Sequence, residues 1–285
     1  MWLSRLKYYL LVCFTVLAAL HGLKAQDKDS INFVRTSALI EDELSDGILW
    51  KYYHIDSLFD SEQSINILFI EKKAAVIEVG YEETILKPTS QFALQNEALA
   101  AINGSFFDIK NGGSVVFLQR DKQMIDSSRR NNHFYDEGAI ALKKGKVHII
   151  KRPTSGWEVN KKYNDILSSG PLLIHDGNKV ELQDHNFNTT RHPRTALGIA
   201  KEGTLVLITV DGRNEKAAGM RIVELQSLMA WLGCTYALNL DGGGSTTFWI
   251  QGKTVNSIVN YPSDNKKFDH QGERKVANVL LILEN

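Results

Sequence analysis

Three consecutive glycines, Gly242-Gly243-Gly244, stand between two β-rich apolar segments at 236–240 and 246–250. Glycine loses more conformational freedom on folding than any other residue. Three of them between strands that must be fixed make sense where backbone has to crowd around something, as in an anion-binding nest. Asp241 stands before the run and Ser245 after it. No Lys-Ser/Thr follows, so this is not a nucleotide P-loop, and no Gly-x-Gly-x-x-Gly opens a helix. The chain must therefore fold into something that fixes a strand–loop–strand unit with a carboxylate at its mouth.

The rest of the chain supplies strands in quantity. Segments 48–55, 65–70, 74–79, 98–102, 115–119, 139–142, 147–150, 172–174, 195–200 and 205–210 are short, apolar and bounded by turn residues. Glu71-Lys72-Lys73 reads as a hairpin turn, as do residues 143–146 with Gly145, and Lys201-Glu202-Gly203 joins the last two of these segments. One helix stands out at 220–232, where Ile222, Leu225, Leu228, Met229 and Leu232 recur at helical spacing. Residues 276–283 form a continuous apolar run, the pattern of a central strand. The expectation is an α+β single domain, a mixed, mostly antiparallel β-sheet with flanking helices.

Composition excludes several classes. With 43% hydrophobic and 9% aromatic residues and only 5 Pro, the chain is neither disordered nor fibrous. Its 33 basic and 33 acidic groups leave no basic surface for nucleic acid. The first 25 residues read as a cleaved signal: Arg5 and Lys7, then 13 uncharged residues from Tyr8 to Leu20, then a small residue at Ala25. That run is too short to span a bilayer, which takes about 20 residues, so no stable membrane insertion is expected after cleavage. Removing Arg5, Lys7 and Lys24 tips the balance to a net −3. Only Cys234 survives, so no intramolecular disulfide forms, and the cysteine reads as a small buried hydrophobe. This pattern fits an extracytoplasmic bacterial protein, periplasmic or secreted. The organisation read from the sequence is a signal over 1–25, a strand-rich segment packed on the core over 26–95, and a main domain over 96–285.

Polar residues interrupt the apolar runs at five places. Asn103-Gly104-Ser105 leads to Asp108, where small residues allow close approach and the amide and carboxylate offer hydrogen bonds. Ser168-Ser169-Gly170-Pro171 precedes a strand with free hydroxyls and N–H groups. Arg191-His192-Pro193-Arg194-Thr195 concentrates positive charge, and an arginine fork matches phosphate oxygens. Asp211-Gly212-Arg213 closes a strongly apolar strand. The glycine loop is the fifth. Acids beside a phosphate-sized cationic site point to hydrolysis of a phosphorylated or glycosidic bond.

These blocks, together with Gly219-Met220, Glu224-Leu225, Asn-Tyr-Pro-Ser-Asp at 260–264 and Arg274-Lys275-Val276, resemble the phosphodiester glycosidase family. Ser105 departs from it, standing where the family often has a second glycine. The resemblance runs in order from about residue 102 to 283. It implies hydrolysis of a sugar-1-phosphodiester of the N-acetylglucosamine-1-phosphate type, giving free sugar and a phosphomonoester. On that reading Arg194, joined by Arg274, holds the phosphate. The backbone of Gly242, Gly243, Gly244 and Ser245, with Thr195, takes its remaining oxygens. Ser169, Gly170 and His192 also touch substrate, and Asn103 and Asp108 orient sugar hydroxyls. One of Asp211, Asp241 or Glu224 activates water or stabilises a cationic sugar centre. The expected partner is a sugar phosphodiester or phosphorylated glycan, and no cofactor is required. Two alternatives remain: a phosphodiesterase holding a divalent cation on Asp211 and Asp241, and a non-catalytic phosphoglycan-binding protein.

Overall fold

The computed structural model describes residues 28–128 and 133–285; the expected signal over 1–25 lies outside them. Alternating side chains and tight turns make strands that pair antiparallel throughout the described residues. The largest sheet has eight strands, in the order Ile40–Ser45, Ile48–Leu58, Ser61–Ile70, Leu205–Val210, Arg194–Ala200, Cys234–Asn239, Leu172–His175 and Asn178–Lys179. A second has five: Lys146–Lys151, Gly138–Lys143, Asp165–Ser169, Leu118–Arg120 and Gln123–Asp126. A third has four: Phe248–Ile250, Ala100–Asn103, Asn278–Glu284 and Ala75–Tyr81. The α+β reading, mostly antiparallel with flanking helices, matches this architecture, and the 278–284 strand is interior as expected.

The main core lies where the three sheets meet. Trp50, Leu68 and Leu238 from the first sheet, Ile140 and Leu142 from the second, and Ile102 and Leu280 from the third belong to one buried cluster. The opposite face of the eight-stranded sheet is covered by helices. The helix Ile222–Trp231 buries Ile222, Leu225, Leu228 and Met229 there. A helix over residues 28–35 adds Phe33, whose ring lies 5.4 Å from Tyr53 and 6.4 Å from Trp231. That helix, like the short Thr89–Gln95 and Asn186–Thr189, carries too few periodic apolar positions to stand out in the sequence. Cys234 is buried, its thiol pushed up to about 12 by desolvation, which leaves it inert.

The hairpin expected at 143–146 is present, and the two segments joined at 201–203 also pair. Gly138–Lys143 pairs with Lys146–Lys151 through Lys144 and Gly145, both at positive φ. Arg194–Ala200 pairs with Leu205–Val210. The hairpin expected at 71–73 does not form. Ser61–Ile70 pairs with Ile48–Leu58 on one side and Leu205–Val210 on the other, so neither edge is open. The turn at 71–73, with Lys73 at φ +73, instead carries the chain to the four-stranded sheet, where Ala75–Tyr81 pairs with Asn278–Glu284. Ile70 and Ile77 enter the same core cluster from either side of this corner.

Leu238 is fully buried at the junction, and a Cβ placed on Gly138 would stand 2.8 Å from its Cδ1. Leu238→Ala should lower stability by about 2–5 kcal/mol, read as a lower urea midpoint with an unchanged slope. An unchanged midpoint would mean the sheets do not share one core.

Candidate active site

The site is assembled at the ends of strands by one buried amide. Asn103 closes Ala100–Asn103 and is completely buried. Its Oδ1 accepts from Thr195 Oγ1 at 2.7 Å and from Thr247 N at 3.2 Å. Its Nδ2 donates to Asp241 O at 2.7 Å. Asp241 N in turn donates to Gly104 O at 3.0 Å. The first, third and fifth polar clusters of the sequence thus meet on one side chain. Gly104 is obligatory in this arrangement, because a Cβ there would collide with Asn278.

The three glycines meet three different neighbours. A Cβ on Gly242 would stand 2.6 Å from Pro193 O. Gly243 has φ +62, donates its N–H to Pro193 O at 2.9 Å, and would place a Cβ 3.0 Å from Arg213 Nη2. A Cβ on Gly244 would collide with Arg274 Nη2. The loop is therefore clamped between the strand at Pro193 and two guanidinium groups. Its N–H groups differ from the expected nest. Gly242 N donates to Asp241 Oδ1, Gly243 N to Pro193 O, and Ser245 N to Gly242 O. Positive charge at the loop comes from the arginines instead. Arg274 is half-buried and shares Asp264 Oδ1 with two of its nitrogens. Arg213 is exposed and has no hydrogen-bond or ion-pair partner among the described residues. The sequence places Arg213 in the Asp211-Gly212-Arg213 cluster but assigns it no role. Its signal was its place directly after a buried strand end, at Asp211-Gly212.

His192 stands beside Pro193 and is partly buried. Burial, then the charges of Arg194 and Arg213, hold its pKa below the usual histidine value, so the ring is neutral at neutral pH. Its Nδ1 has no partner among the described residues. The hydroxyls of Ser169 and Ser245 are buried without partners there as well. Gly170 supplies its carbonyl to Asn239 Nδ2 at 2.8 Å.

The three candidate acids separate. Glu224 is buried at the start of its helix, where it accepts from Arg221 N at 2.8 Å and from the side chains of Arg191 and Arg221. Burial would raise its pKa, but these donors outweigh burial and hold it low. Asp211 is 1% exposed. Its Oδ2 accepts from Ser64 Oγ at 2.6 Å, and its Oδ1 from Asn260 Nδ2 and Tyr261 N at 2.9 Å each. Burial raises its pKa against those donors. Of the three, Asp241 alone is partly exposed, at the mouth of the glycine loop. The expected phosphate ligand Arg194 is likewise enclosed. At 1% exposure it donates to Met220 O, Phe187 O and Thr190 O and lies 4.6 Å over the Phe187 ring. Burial lowers its pKa to about 9. It braces the 187–190 turn against Met220, a task the sequence gives no sign of. Asp108 accepts from Lys110 N and Asn111 N, closing its own turn.

A divalent cation does not fit Asp211. Both its oxygens face donors, and neither it nor Asp241 joins any cluster of three ligand atoms gathered within 4.8 Å among the described residues.

A β-rich fold presses its glycine loop against two arginines, with the partly exposed Asp241 at the start of the loop. The family model for phosphodiester glycosidases matches residues 96–283, and the chain belongs to that family. A prophage-derived uncharacterized protein of Bacillus subtilis (strain 168), YomE, is 24% identical over 296 residues, 86% of this chain and 44% of its own. N-acetylglucosamine-1-phosphodiester alpha-N-acetylglucosaminidase of Mus musculus is 30% identical over 197 residues, 65% of this chain and 37% of its own. The chain thus spans less than half the length of these curated relatives. Among solved structures, the pro-peptide-inhibited catalytic domain of the zebrafish N-acetylglucosamine-1-phosphodiester alpha-N-acetylglucosaminidase aligns with a TM-score of 0.67 at 21% identity. That alignment covers 88% of this chain and 85% of the other. A hypothetical protein from Synechocystis aligns with a TM-score of 0.63 at 13% identity, over 88% of this chain and 64% of the other. Both are likenesses of fold.

Because Glu224 is held below the ordinary 4.5, the stability it lends is complete above about that pH and fades as pH falls through its folded value. Glu224→Gln should cost about 2 kcal/mol at neutral pH and much less in acid, measured by urea unfolding. An equal cost at both would mean the charge on Glu224 is idle.

Proposed function

We propose that the chain is an exported bacterial hydrolase that cleaves a sugar-1-phosphodiester at the C1–O bond, releasing free sugar and a phosphomonoester. The names of the mammalian and zebrafish relatives support an N-acetylglucosamine-1-phosphate type of substrate. The leader-like residues 1–25 support export, and no helix among the described residues is long and apolar enough to cross a membrane.

The observation that carries the reading is the glycine loop with Arg213 and Arg274 against it and Asp241 at its start. A phosphomonoester leaves readily, so the reaction needs little help from a general acid. It gains more from cations that neutralise the departing phosphate. Arg213 takes that role, aided by Arg274, whose tie to Asp264 aims it at the loop. Asp241 activates the water that attacks C1, or stabilises the positive charge developing there. His192, neutral and with an open Nδ1, hydrogen-bonds the substrate without adding charge. Ser169 and Ser245 offer their hydroxyls to the ligand. Asn103, Thr195, Arg194, Asp211 and Glu224 hold the frame.

The test is release of sugar from N-acetylglucosamine-1-phospho-mannose and a panel of sugar phosphodiesters. Asp241→Asn and Arg213→Ala should each lower kcat/KM by about a hundredfold or more with urea midpoints unchanged. Arg194→Met should instead unfold more easily. No sugar released from any substrate sinks the enzymatic reading, and full activity in Arg213→Ala removes that residue from it.

A further inference from the structure

A polar stripe crosses the eight-stranded sheet beside the glycine loop. Side-chain alternation puts Tyr52 and His54 on one face of Ile48–Leu58. Register sets His54 opposite Ser64 and Tyr52 opposite Asn66, and Asn66 opposite Thr209 on the next strand. Asp211 continues that face, its N–H donating to Ser64 O at 2.9 Å. The side chains form a continuous line. Asp211 Oδ2 lies 2.6 Å from Ser64 Oγ, which lies 3.3 Å from Tyr52 Oη. Tyr52 Oη is 3.4 Å from His54 Nδ1, and His54 Nε2 is 2.6 Å from Glu62 Oε1. A carboxylate oxygen of Asp56 lies within 4.8 Å of the same pair. Every member but Asp211 precedes residue 96, outside the family match.

Each hydroxyl carries one proton; Ser64 Oγ stands between Asp211 and Tyr52, and Tyr52 Oη meets Ser64, His54 and the side chain of Tyr261. From Asp211 to His54 the line can be bonded in two opposite senses. With Asp211 protonated, it donates to Ser64, Ser64 to Tyr52, and Tyr52 to Nδ1 of a neutral His54. With Asp211 ionised, every bond from Asp211 to His54 reverses, while His54 Nε2–H donates to Glu62 in both. His54 is then an imidazolium, donating Nδ1–H to Tyr52 and Nε2–H to Glu62. The two arrangements hold the same number of protons. Asp211 ionises as its proton passes to Ser64 Oγ, the Ser64 proton to Tyr52 Oη, and the Tyr52 proton to His54 Nδ1. The positive charge then rests against Glu62 and Asp56, at the partly exposed end of the line.

The ionised carboxylate has structural work to do. Asn260 Nδ2 donates both to Asp211 Oδ1 and to Thr246 O, directly beyond the glycine loop. Tyr261 N adds a second donor to Oδ1. The groups facing Asp211 are Tyr52 from the sheet and Tyr261 and His270 from the 260–270 loop, and His270 favours the charged form.

We propose that Ser64, Tyr52 and His54 form a proton relay that keeps Asp211 ionised by storing its proton on His54 against Glu62. They are thus positioning residues for the Asn260–Thr246 brace behind the glycine loop. The catalytic consequence rests on the hydrolase reading; the relay itself does not.

Tyr52→Phe and His54→Gln in the full chain cut the line, and Tyr53→Phe, on the opposite face beside Phe33, is the control. Urea stability is measured at about pH 5 and about pH 8. A proton held on His54 stabilises the folded chain below the pH at which an unfolded histidine gives its proton up, and ceases to as pH rises, so both relay variants should lose more stability at the lower pH. Tyr53→Phe should lose equally at both. In the hydrolase assay, the acid limb of kcat/KM should move up by about one pH unit in the relay variants and stay in place in Tyr53→Phe. An equal stability cost at both pH values for Tyr52→Phe overturns the relay. The pH-dependent cost without turnover of any substrate leaves the relay standing and removes the hydrolase reading.

Discussion

One buried amide decides where everything else at the site can be. Asn103 has no exposed surface and spends both ends of its side chain on loops distant in sequence: Thr195 and Thr247 on one atom, Asp241 on the other. Leaving such buried partners unpaired costs about 1–3 kcal/mol each, comparable with a sizeable part of a domain's net stability. No other side-chain type supplies an acceptor and a donor from one short planar group at this place. Aspartate would present an oxygen to the Asp241 carbonyl, and leucine would orphan all three loops.

Once the loop is pinned, its glycines follow from sterics and its chemistry from electrostatics. Gly242 yields to Pro193, Gly243 to Arg213 and Gly244 to Arg274. The acids sort by what already faces them. Glu224 is saturated by two arginines and a helix N-terminus, and Asp211 by a hydroxyl and two N–H donors. Asp241 lies at the surface of the site. Arg194 and Arg213 sort in the same way: three carbonyls surround the first, and the second has no acceptor among the described residues.

Much of the fold was legible because strands betray themselves locally. The 138–151 hairpin, the 194–210 hairpin and the interior 278–284 strand follow from alternation, turn residues and unbroken apolar character. The 71–73 corner was not legible, because a tight turn looks the same whether it returns to its own sheet or crosses to another. What decides is that Ser61–Ile70 already has two neighbours from far along the chain. The site shows the same limit. Motif blocks located Asn103, Thr195, Asp241 and the glycines, which do converge. They could not tell an arginine aimed at solvent from one stacked on Phe187, since burial is a tertiary property. The stripe at Tyr52, His54 and Ser64 escaped notice for a related reason. Polar residues at alternate positions read as a solvated strand face until the neighbouring strands cover them.

In the proposed reaction the bond cleaved is at the sugar carbon, and the arginines hold the phosphate as it departs. Hydrolysis in oxygen-18 water, with mass spectrometry of both products, tests this directly. The label should enter the anomeric hydroxyl of the released sugar and be absent from the phosphomonoester. Label in the phosphate instead would contradict the account, because water would then have attacked phosphorus.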